Sequence, residues 1–203
     1  MSARPPSGAP ARCRVLIVGV GGQGVLTAAG ILGEAALLAG VDVSVGQLHG
    51  MSQRGGSVQA TVVLGGGGSF IEAGEADVVL GFEPLEALRA RPAMSSRTLA
   101  IVSLERVVPA TLAQEGREYP DLARVLADLR AAAGEVVPVD VPALVERLGR
   151  RSLNVALLGV LASRATLPFG GDAIWRAIET RSPPRHLEAN RRAFELGREL
   201  VTA

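Results

Sequence analysis

Two short segments of this chain carry the residue types that could do chemistry, and the first is a glycine loop. An apolar stretch at residues 15–18 leads directly into Gly19-Val20-Gly21-Gly22-Gln23-Gly24. Because glycine has no Cβ, such a loop can turn tightly and let a ligand or another chain approach its backbone closely. A helix that begins near Gln23 presents unpaired N–H groups and the positive end of its dipole, which suit an anion or a polar group of a partner.

The second segment combines an imidazole, an amide, a guanidinium and two adjacent glycines. It contains His49, Gln53, Arg54, Gly55, Gly56 and Ser57. Because it follows the second predicted strand, we expect it at the carboxyl edge of the sheet, where open α/β sheets bind ligands. Arg54 could form a forked pair with a carboxylate or phosphate, and His49 could donate a hydrogen bond or transfer a proton. The alternative is that both side chains only fix the loop through backbone hydrogen bonds.

Hydrolase chemistry is disfavoured, because no ordered Ser–His–acid set surrounds Ser57 and no carboxylate in the loop can orient His49.

The sequence meets only part of what dinucleotide binding requires. Gly19-x-Gly21-x-x-Gly24 matches the dinucleotide fingerprint, which also needs an acid at the end of the second strand to hold the ribose. That strand ends Val45-Gly46-Gln47, and the nearby Asp42 stands at its beginning. Two interpretations therefore stay open: glycines that allow close packing of helix, sheet or subunits, and genuine binding of NAD(P) or FAD.

Composition excludes several further classes of function. All 21 basic residues are arginines, so the chain has neither a Schiff-base lysine nor a P-loop lysine. A formal net charge of +1 gives no electrostatic reason to expect nucleic acid or an anionic membrane as partner. The single cysteine, Cys13, can form neither an intrachain disulfide nor the ligand set of an iron–sulfur cluster, and it is interpreted as inert. No apolar run is long enough to span a membrane, and a cytoplasmic location is expected.

The pattern of elements that must position the two segments predicts an α/β fold. Strands are predicted at residues 14–18, 41–45, 58–64, 76–81, 98–103 and 136–139, and helices at 26–38, 82–90, 119–133, 141–148, 154–163, 171–180 and 185–201. This alternation predicts a Rossmann-like, mostly parallel sheet layered with helices, followed by a helical C-terminal third. Residues 1–12 are interpreted as a disordered tail, and residues 13–203 as a single α/β domain.

Three polar residues outside the two segments are given structural roles. Glu83 and Glu86 flank Pro84 at the start of a predicted helix, where acidic side chains interact favourably with the dipole. Asn154 stands at another predicted helix start and is interpreted as a cap.

Three stretches together resemble a known family. VGVGGQGVLTAAGILGEAALLAG, HGMSQRGGSV and GEADVVLGFEPLEALR look like segments of the gamma-type domain of the 2-oxoacid (pyruvate/ketoisovalerate):ferredoxin oxidoreductases, and in particular of the small (beta) subunit of the indolepyruvate branch. The resemblance is dense over residues 15–89 and continues more thinly to residues 190–197. Other branches tend to have Tyr-Gly and an acid ahead of the Arg-Gly-Gly, where this chain has His49-Gly50 and Gln53.

The resemblance implies an oxidoreductase subunit that is inactive alone. The family reaction is the oxidative decarboxylation of a 2-oxo acid with coenzyme A, giving an acyl-CoA, carbon dioxide and reduced ferredoxin; in this branch the substrates are aryl pyruvates. It implies a large partner subunit that holds thiamine diphosphate and [4Fe–4S] clusters, while this chain holds no cofactor and completes the assembly around the thiamine site.

The resemblance also implies which residues to follow in the structure. The residues carried over are Gly19, Gly21, Gly22, Gln23 and Gly24 from the first loop, and His49, Gln53, Arg54, Gly55 and Gly56 from the second. We expect both loops to form one edge that faces the substrate, the coenzyme or the large subunit, with Arg54 meeting a carboxylate or phosphate. The alternatives are a free-standing NAD(P)- or flavin-dependent oxidoreductase and a non-catalytic nucleotide-binding scaffold.

Overall fold

The structure is a computed structural model that describes residues 12–49, 55–108, 118–140 and 153–200, with the backbone alone described at His49. The predicted helix at 141–148, the side chains of Gln53 and Arg54, and nearly all of the predicted tail lie outside the described residues.

In the described part of the chain, six strands form one sheet. They are β1 (Cys13–Val20), β2 (Val43–His49), β3 (Ser57–Leu64), β4 (Val78–Gly81), β5 (Leu99–Ser103) and β6 (Glu135–Val139). Their spatial order is β2-β3-β1-β4-β5-β6. The pairs β1–β4, β4–β5 and β5–β6 are parallel, whereas β3 runs antiparallel to both β1 and β2. The predicted mostly parallel sheet is therefore confirmed, with β3 as its antiparallel member.

The second strand differs in position from its prediction at residues 41–45. It begins at Val43 and continues to His49, so His49 ends a strand rather than opening a loop. The reason is pairing with β3, whose register runs from Val43 opposite Leu64 to His49 opposite Val58. This ladder keeps Gly46 and Gln47 in an extended strand, although glycine by itself is depleted in strands.

Six α-helices within the described residues cover the two faces of the sheet. They are α1 (Val25–Leu38), α2 (Pro84–Arg89), α3 (Leu122–Ala132), α4 (Leu153–Arg164), α5 (Gly171–Arg181) and α6 (Pro184–Glu199). Successive side chains of a strand point to opposite faces, and β1 shows the result. Val15 and Ile17 pack in the core beneath α1 and α4, whereas Leu16 and Val18 pack beneath α2 and α3. The short, continuously apolar run of β1 follows from this burial on both faces.

The C-terminal third is helical, as predicted, and α4 and α6 cross at unusually close range. A Cβ built on Gly159 would lie 2.2 Å from the carbonyl oxygen of Phe194, and one built on Gly197 would lie 2.0 Å from that of Ala156. Glycine at these two positions lets the two backbones touch. Among the helices of the described ranges, none combines the length and apolarity needed to cross a bilayer.

Candidate functional site at the carboxyl edge of the sheet

The glycine loop joins β1 to α1, and its glycines have different roles. A Cβ built on Gly19 would lie 2.9 Å from atoms of Gln23, Phe82 and Val25, so Gly19 is required for close packing. Gly24 caps α1 with a φ of 89°. Gly22 has a φ of 106°, yet a Cβ there would meet nothing within 4 Å. The backbone of Gly22 therefore borders open space.

Gln23 braces the loop through both ends of its amide. Its Oε1 accepts a hydrogen bond from the Val20 N–H at 2.7 Å, and its Nε2 donates to the carbonyl oxygen of Phe82 at 3.0 Å. The side chain thus ties the end of β1 to the residue that follows β4. The family resemblance predicts Gln23 on a ligand edge or subunit interface; in the structure both polar atoms of its side chain hold the backbone that forms that edge.

The two glycine segments meet directly. The Gly21 N–H donates to the carbonyl oxygen of Gly56 at 2.8 Å, and the Gly55 N–H points back to the carbonyl oxygen of Gly21 at 3.5 Å. Ser57 begins β3 immediately afterwards, opposite Val20. The structure therefore brings together Gly21, Gly55, Gly56 and Ser57 at one edge, as the expectation of a shared edge requires. His49 ends β2 at the same edge.

A cavity of about 450 Å³ opens beside this edge. It is lined by Gly21, Gly22, Gln23 and Gly24, by Phe82, Ser103, Glu105 and Val107 near the ends of β4 and β5, and by Leu153, Asn154 and Leu157 of α4. Because α1 and α2 leave β1 and β4 toward opposite faces of the sheet, the cavity lies at the topological switch point. Open α/β folds bind their ligands at that point.

Sequence reasoning missed Ser103 and Glu105 as residues of this cavity, and assigned Asn154 only a capping role. In the structure Asn154 is the second residue of α4, and its Oδ1 accepts a hydrogen bond from the N–H of the next residue, Val155, at 2.9 Å, whereas a helix cap accepts from an N–H two or three residues further on. The Nδ2 of Asn154 lies 2.9 Å from the position of a Cβ built on Gly24. For Ser103 and Glu105, the available signal was their position at the carboxyl end of a predicted parallel strand.

Beneath the edge lies a group of buried polar side chains. Glu83 caps α2 by accepting a hydrogen bond from the Glu86 N–H at 2.9 Å. The hydroxyl of Tyr119 donates to Glu83 Oε1 and accepts from the Leu85 N–H at 3.2 Å. Burial raises the pKa of Glu83 above its ordinary value, and burial together with the bond to Glu83 raises the pKa of Tyr119. The structural role expected for Glu83 is confirmed by this cap.

Glu86 has a different set of partners. It is fully buried, and it accepts hydrogen bonds from Ser57 Oγ and from Arg89 Nη1, each at 2.5 Å. Ser57 belongs to the second glycine segment, so a residue of α2 is hydrogen-bonded to the edge itself.

Metal binding finds no support within the described ranges, where no group of at least three His, Cys, Asp or Glu residues could hold an ion. Cys13 is buried, and burial, reinforced by the nearby Asp77 carboxylate, raises the pKa of its thiol to about 12. The thiol is therefore not activated as a nucleophile, in agreement with its interpretation as inert.

The sheet order also bears on dinucleotide binding. In the Rossmann arrangement, the strand whose end carries the ribose-binding acid lies next to the first strand. Here β3 lies between β1 and β2. Asp42 precedes β2, and its carbonyl oxygen accepts from the Gly65 N–H after β3, at the opposite edge of the sheet. The strand with a ribose-binding acid that normally lies beside the glycine fingerprint is therefore missing both in the sequence and in the structure.

An open α/β sheet with two joined glycine segments at its switch point defines the class of this chain, and comparison with known proteins defines its family. Residues 14–200 match the family model for pyruvate ferredoxin/flavodoxin oxidoreductase. A relative from Archaeoglobus fulgidus, named indolepyruvate oxidoreductase subunit IorB, is 35% identical over 92% of this chain and 94% of its own length. The chain belongs to the pyruvate ferredoxin/flavodoxin oxidoreductase family.

Solved structures share the fold. The gamma subunit of a keto/oxoacid ferredoxin oxidoreductase from Geobacter sulfurreducens has a TM-score of 0.65 at 20% identity, covering 92% of this chain and 96% of that one. The 2-oxoglutarate:ferredoxin oxidoreductase from Magnetococcus marinus, solved with 2-oxoglutarate, coenzyme A and succinyl-CoA bound, has a TM-score of 0.69 at 16% identity, covering 94% of this chain and 31% of that one.

Proposed function

We propose that this chain is the small subunit of an indolepyruvate-type 2-oxoacid:ferredoxin oxidoreductase and completes the active site of a large subunit. The reaction is the oxidative decarboxylation of an aryl 2-oxo acid with coenzyme A. It yields an acyl-CoA and carbon dioxide, and the electrons pass to ferredoxin through the complex. The name of the Archaeoglobus fulgidus relative supports the indolepyruvate branch, as do His49-Gly50 and Gln53 in the second segment.

The observation that carries this proposal is the pairing of Gly21 with Gly56 beside the 450 Å³ cavity. It joins the two segments that define the family resemblance into one edge at the switch point. An edge built from glycine backbone lets another chain, or a ligand held by it, approach without side-chain obstruction. We propose that the large subunit closes the cavity from this side and excludes water from it.

The cofactors of the reaction are proposed to lie on the large subunit. This chain does not fit an iron–sulfur cluster, because such clusters take several thiolates and its single cysteine is buried with a raised pKa. Thiamine diphosphate, held by the partner, supplies the stabilised carbanion that decarboxylation needs. One buried cysteine also suits a reducing cytoplasm, where we place the complex.

Coenzyme A is the group that this chain itself could contact. The Magnetococcus marinus relative was solved with coenzyme A bound. In the present chain, the exposed backbone of Gly22 and the adjoining cavity fit a narrow, polar part of such a molecule. Arg54 is proposed to meet a phosphate or carboxylate of coenzyme or substrate. In this role the chain orients and binds, while the bond-breaking steps take place on the partner.

The decisive test is an anaerobic pull-down of the tagged chain from its native host, with mass spectrometry and assays for iron and thiamine in the eluate. We expect a large partner that carries both, and turnover of aryl 2-oxo acids by the eluted complex. Recovery of the chain alone with a bound dinucleotide would instead establish a self-sufficient oxidoreductase. Recovery of the chain with neither partner nor nucleotide would overturn the proposal as well.

A further inference from the structure

Ser57, Glu86 and Arg89 form a cluster that joins helix α2 to the second glycine segment. Glu86 is fully buried. One carboxylate oxygen accepts from Ser57 Oγ at 2.5 Å, and the other accepts from Arg89 Nη1 at 2.5 Å. The contact between Ser57 and Glu86 links residues 29 positions apart in the chain.

Local stability does not explain why this acid is buried. A carboxylate loses its hydration on burial, and a buried ion pair gives little or no net gain over well-packed apolar residues. Nor does the side chain of Glu86 cap α2, because Glu83 does so. What the Glu86 carboxylate does hold is Ser57, the residue directly after the Gly55–Gly56 pair.

The surroundings of Glu86 fix it from the other side. Glu83 holds the first turn of α2 through the Glu86 N–H, and the Tyr119 hydroxyl holds both Glu83 and the Leu85 N–H. The backbone of Glu86 is therefore held by Glu83 and, through Glu83, by Tyr119. The Glu86 carboxylate adds a side-chain hydrogen bond to Ser57, whose backbone lies in β3 opposite Val20. From Ser57 the chain leads back to Gly56, whose carbonyl oxygen accepts from Gly21.

We propose that Glu86 is a positioning residue that, through Ser57, sets the geometry of the paired glycine segments, Gly21 with Gly55–Gly56, at the cavity. Its effect on catalysis rests on the proposed function, whereas its effect on the conformation of the edge does not. The carboxylate acts at a distance: Glu86 does not line the cavity, and it reaches the cavity-lining Gly21 only through Ser57 and Gly56.

The catalytic test uses the complex of this chain with its large subunit, purified anaerobically. Four variants are compared with the wild type: Ser57→Ala, Ser57→Thr, Glu86→Gln and the double variant Ser57→Ala/Glu86→Gln. Glu72→Gln is the matched control, because Glu72 is exposed. The readouts are kcat and KM for indolepyruvate and coenzyme A, measured well below the melting temperature of each variant.

Positioning predicts that Ser57→Ala lowers kcat/KM about ten- to a hundredfold, as small displacements at an active site do. Ser57→Thr, which keeps the hydroxyl, should restore most of the activity. The double variant should be no worse than the more impaired of the two single variants, because Ser57→Ala removes the contact that Glu86→Gln weakens. If Ser57→Ala and Glu86→Gln lower the melting temperature but leave kcat/KM within about twofold of the control, the cluster only stabilises the fold and the inference fails.

A second measurement does not depend on the proposed reaction. Amide hydrogen exchange in the isolated full chain should accelerate around residues 19–24 and 55–58 in Ser57→Ala relative to both wild type and Glu72→Gln. Unchanged exchange in these two segments would overturn the inference even if the complex proves to be the proposed enzyme. A wild-type complex that is inactive on every aryl 2-oxo acid would overturn the proposed function, and the exchange data would then decide the inference alone.

Discussion

Replacing Gln23 with glutamate tests whether the glycine loop is held by its own side chain. The substitution keeps the size of the residue and the Oε1 acceptor that faces the Val20 N–H at 2.7 Å. It changes the Nε2 donor, 3.0 Å from the carbonyl oxygen of Phe82, into a carboxylate oxygen. A favourable contact thereby becomes a repulsive one, and nothing else in the packing need change.

The expected cost follows from these two contacts. A hydrogen bond of this kind contributes about 1 kcal/mol, and a buried polar group left without its partner costs about 1–3 kcal/mol. Because Gln23 lines the cavity and is only half-buried, water relieves part of this penalty. We therefore expect Gln23→Glu to lower the free energy of unfolding by about 2 kcal/mol. For a chain of this size, that loss corresponds to a fall of about 4–8 °C in melting temperature.

Urea and thermal denaturation of the full chain measure this difference. Gln47→Glu is the matched control, because Gln47 is exposed on β2 and such surface changes usually stay within about 0.5 kcal/mol. Gln23→Ala, which loses both bonds, should cost about 2 kcal/mol or more. If Gln23→Glu is as stable as the control, the amide does not brace the loop and its role must be sought outside this chain.

Three further predictions concern packing, pH and the second segment. Gly197→Ala should destabilise the chain by about 3 kcal/mol or more, because the new Cβ would lie 2.0 Å from the Ala156 carbonyl oxygen. Gly170→Ala is the control, because a Cβ at Gly170 meets nothing within 4 Å. In denaturation experiments it should change stability by less than about 1 kcal/mol. Burial raises the pKa of Glu83 above 4.5, so the folded chain binds the proton of the Glu83 carboxyl group more tightly than the unfolded chain does. The resulting stabilisation is complete below pH 4.5 and is lost as pH rises through the raised pKa. Urea midpoints of Glu83→Gln should then fall less steeply with pH than those of wild type, and parallel curves would contradict this assignment. Arg54→Ala should lower the activity of the complex about tenfold or more without changing the melting temperature of the isolated chain; unchanged activity would remove Arg54 from the proposed site.

The sheet core could be predicted from the sequence because a strand that is buried on both faces is apolar at every position. The residues of β1 between Val15 and Val18 are uninterruptedly apolar, and such a run has few interpretations other than a central parallel strand. The edge strand β2 has no such continuous apolar run. Its second half, Gly46-Gln47-Leu48-His49, has mixed polarity, and its extended conformation depends on pairing with β3. Pairing with β3, a tertiary contact, therefore determines a conformation that local propensity does not predict.

The site could be predicted in part for a related reason. Glycine clusters next to predicted strands can be recognised in the sequence, so both glycine segments could be selected from it. The contacts of Gln23 and Glu86 could not be derived, because each joins residues far apart in the chain: Gln23 to Phe82, and Glu86 to Ser57. The family resemblance predicts a ligand edge or subunit interface for Gln23, and the position of Glu86 at a helix start predicts a favourable interaction with the helix dipole. In the structure, the Gln23 side chain holds the backbone of the glycine loop, and the Glu86 carboxylate is hydrogen-bonded to Ser57 at the edge.

The antiparallel strand β3 explains why a dinucleotide-like glycine loop need not serve a dinucleotide. By lying between β1 and β2, β3 places Gly56 and Ser57 where the end of a parallel neighbour would otherwise carry a ribose-binding acid. The backbone of Gly21 is then engaged by the carbonyl oxygen of Gly56. The open side of the loop is thereby shifted to Gly22 and to the cavity toward β4 and α4. A loop that turns this face outward is suited to complete a site shared with another chain, which is the role that we propose for it.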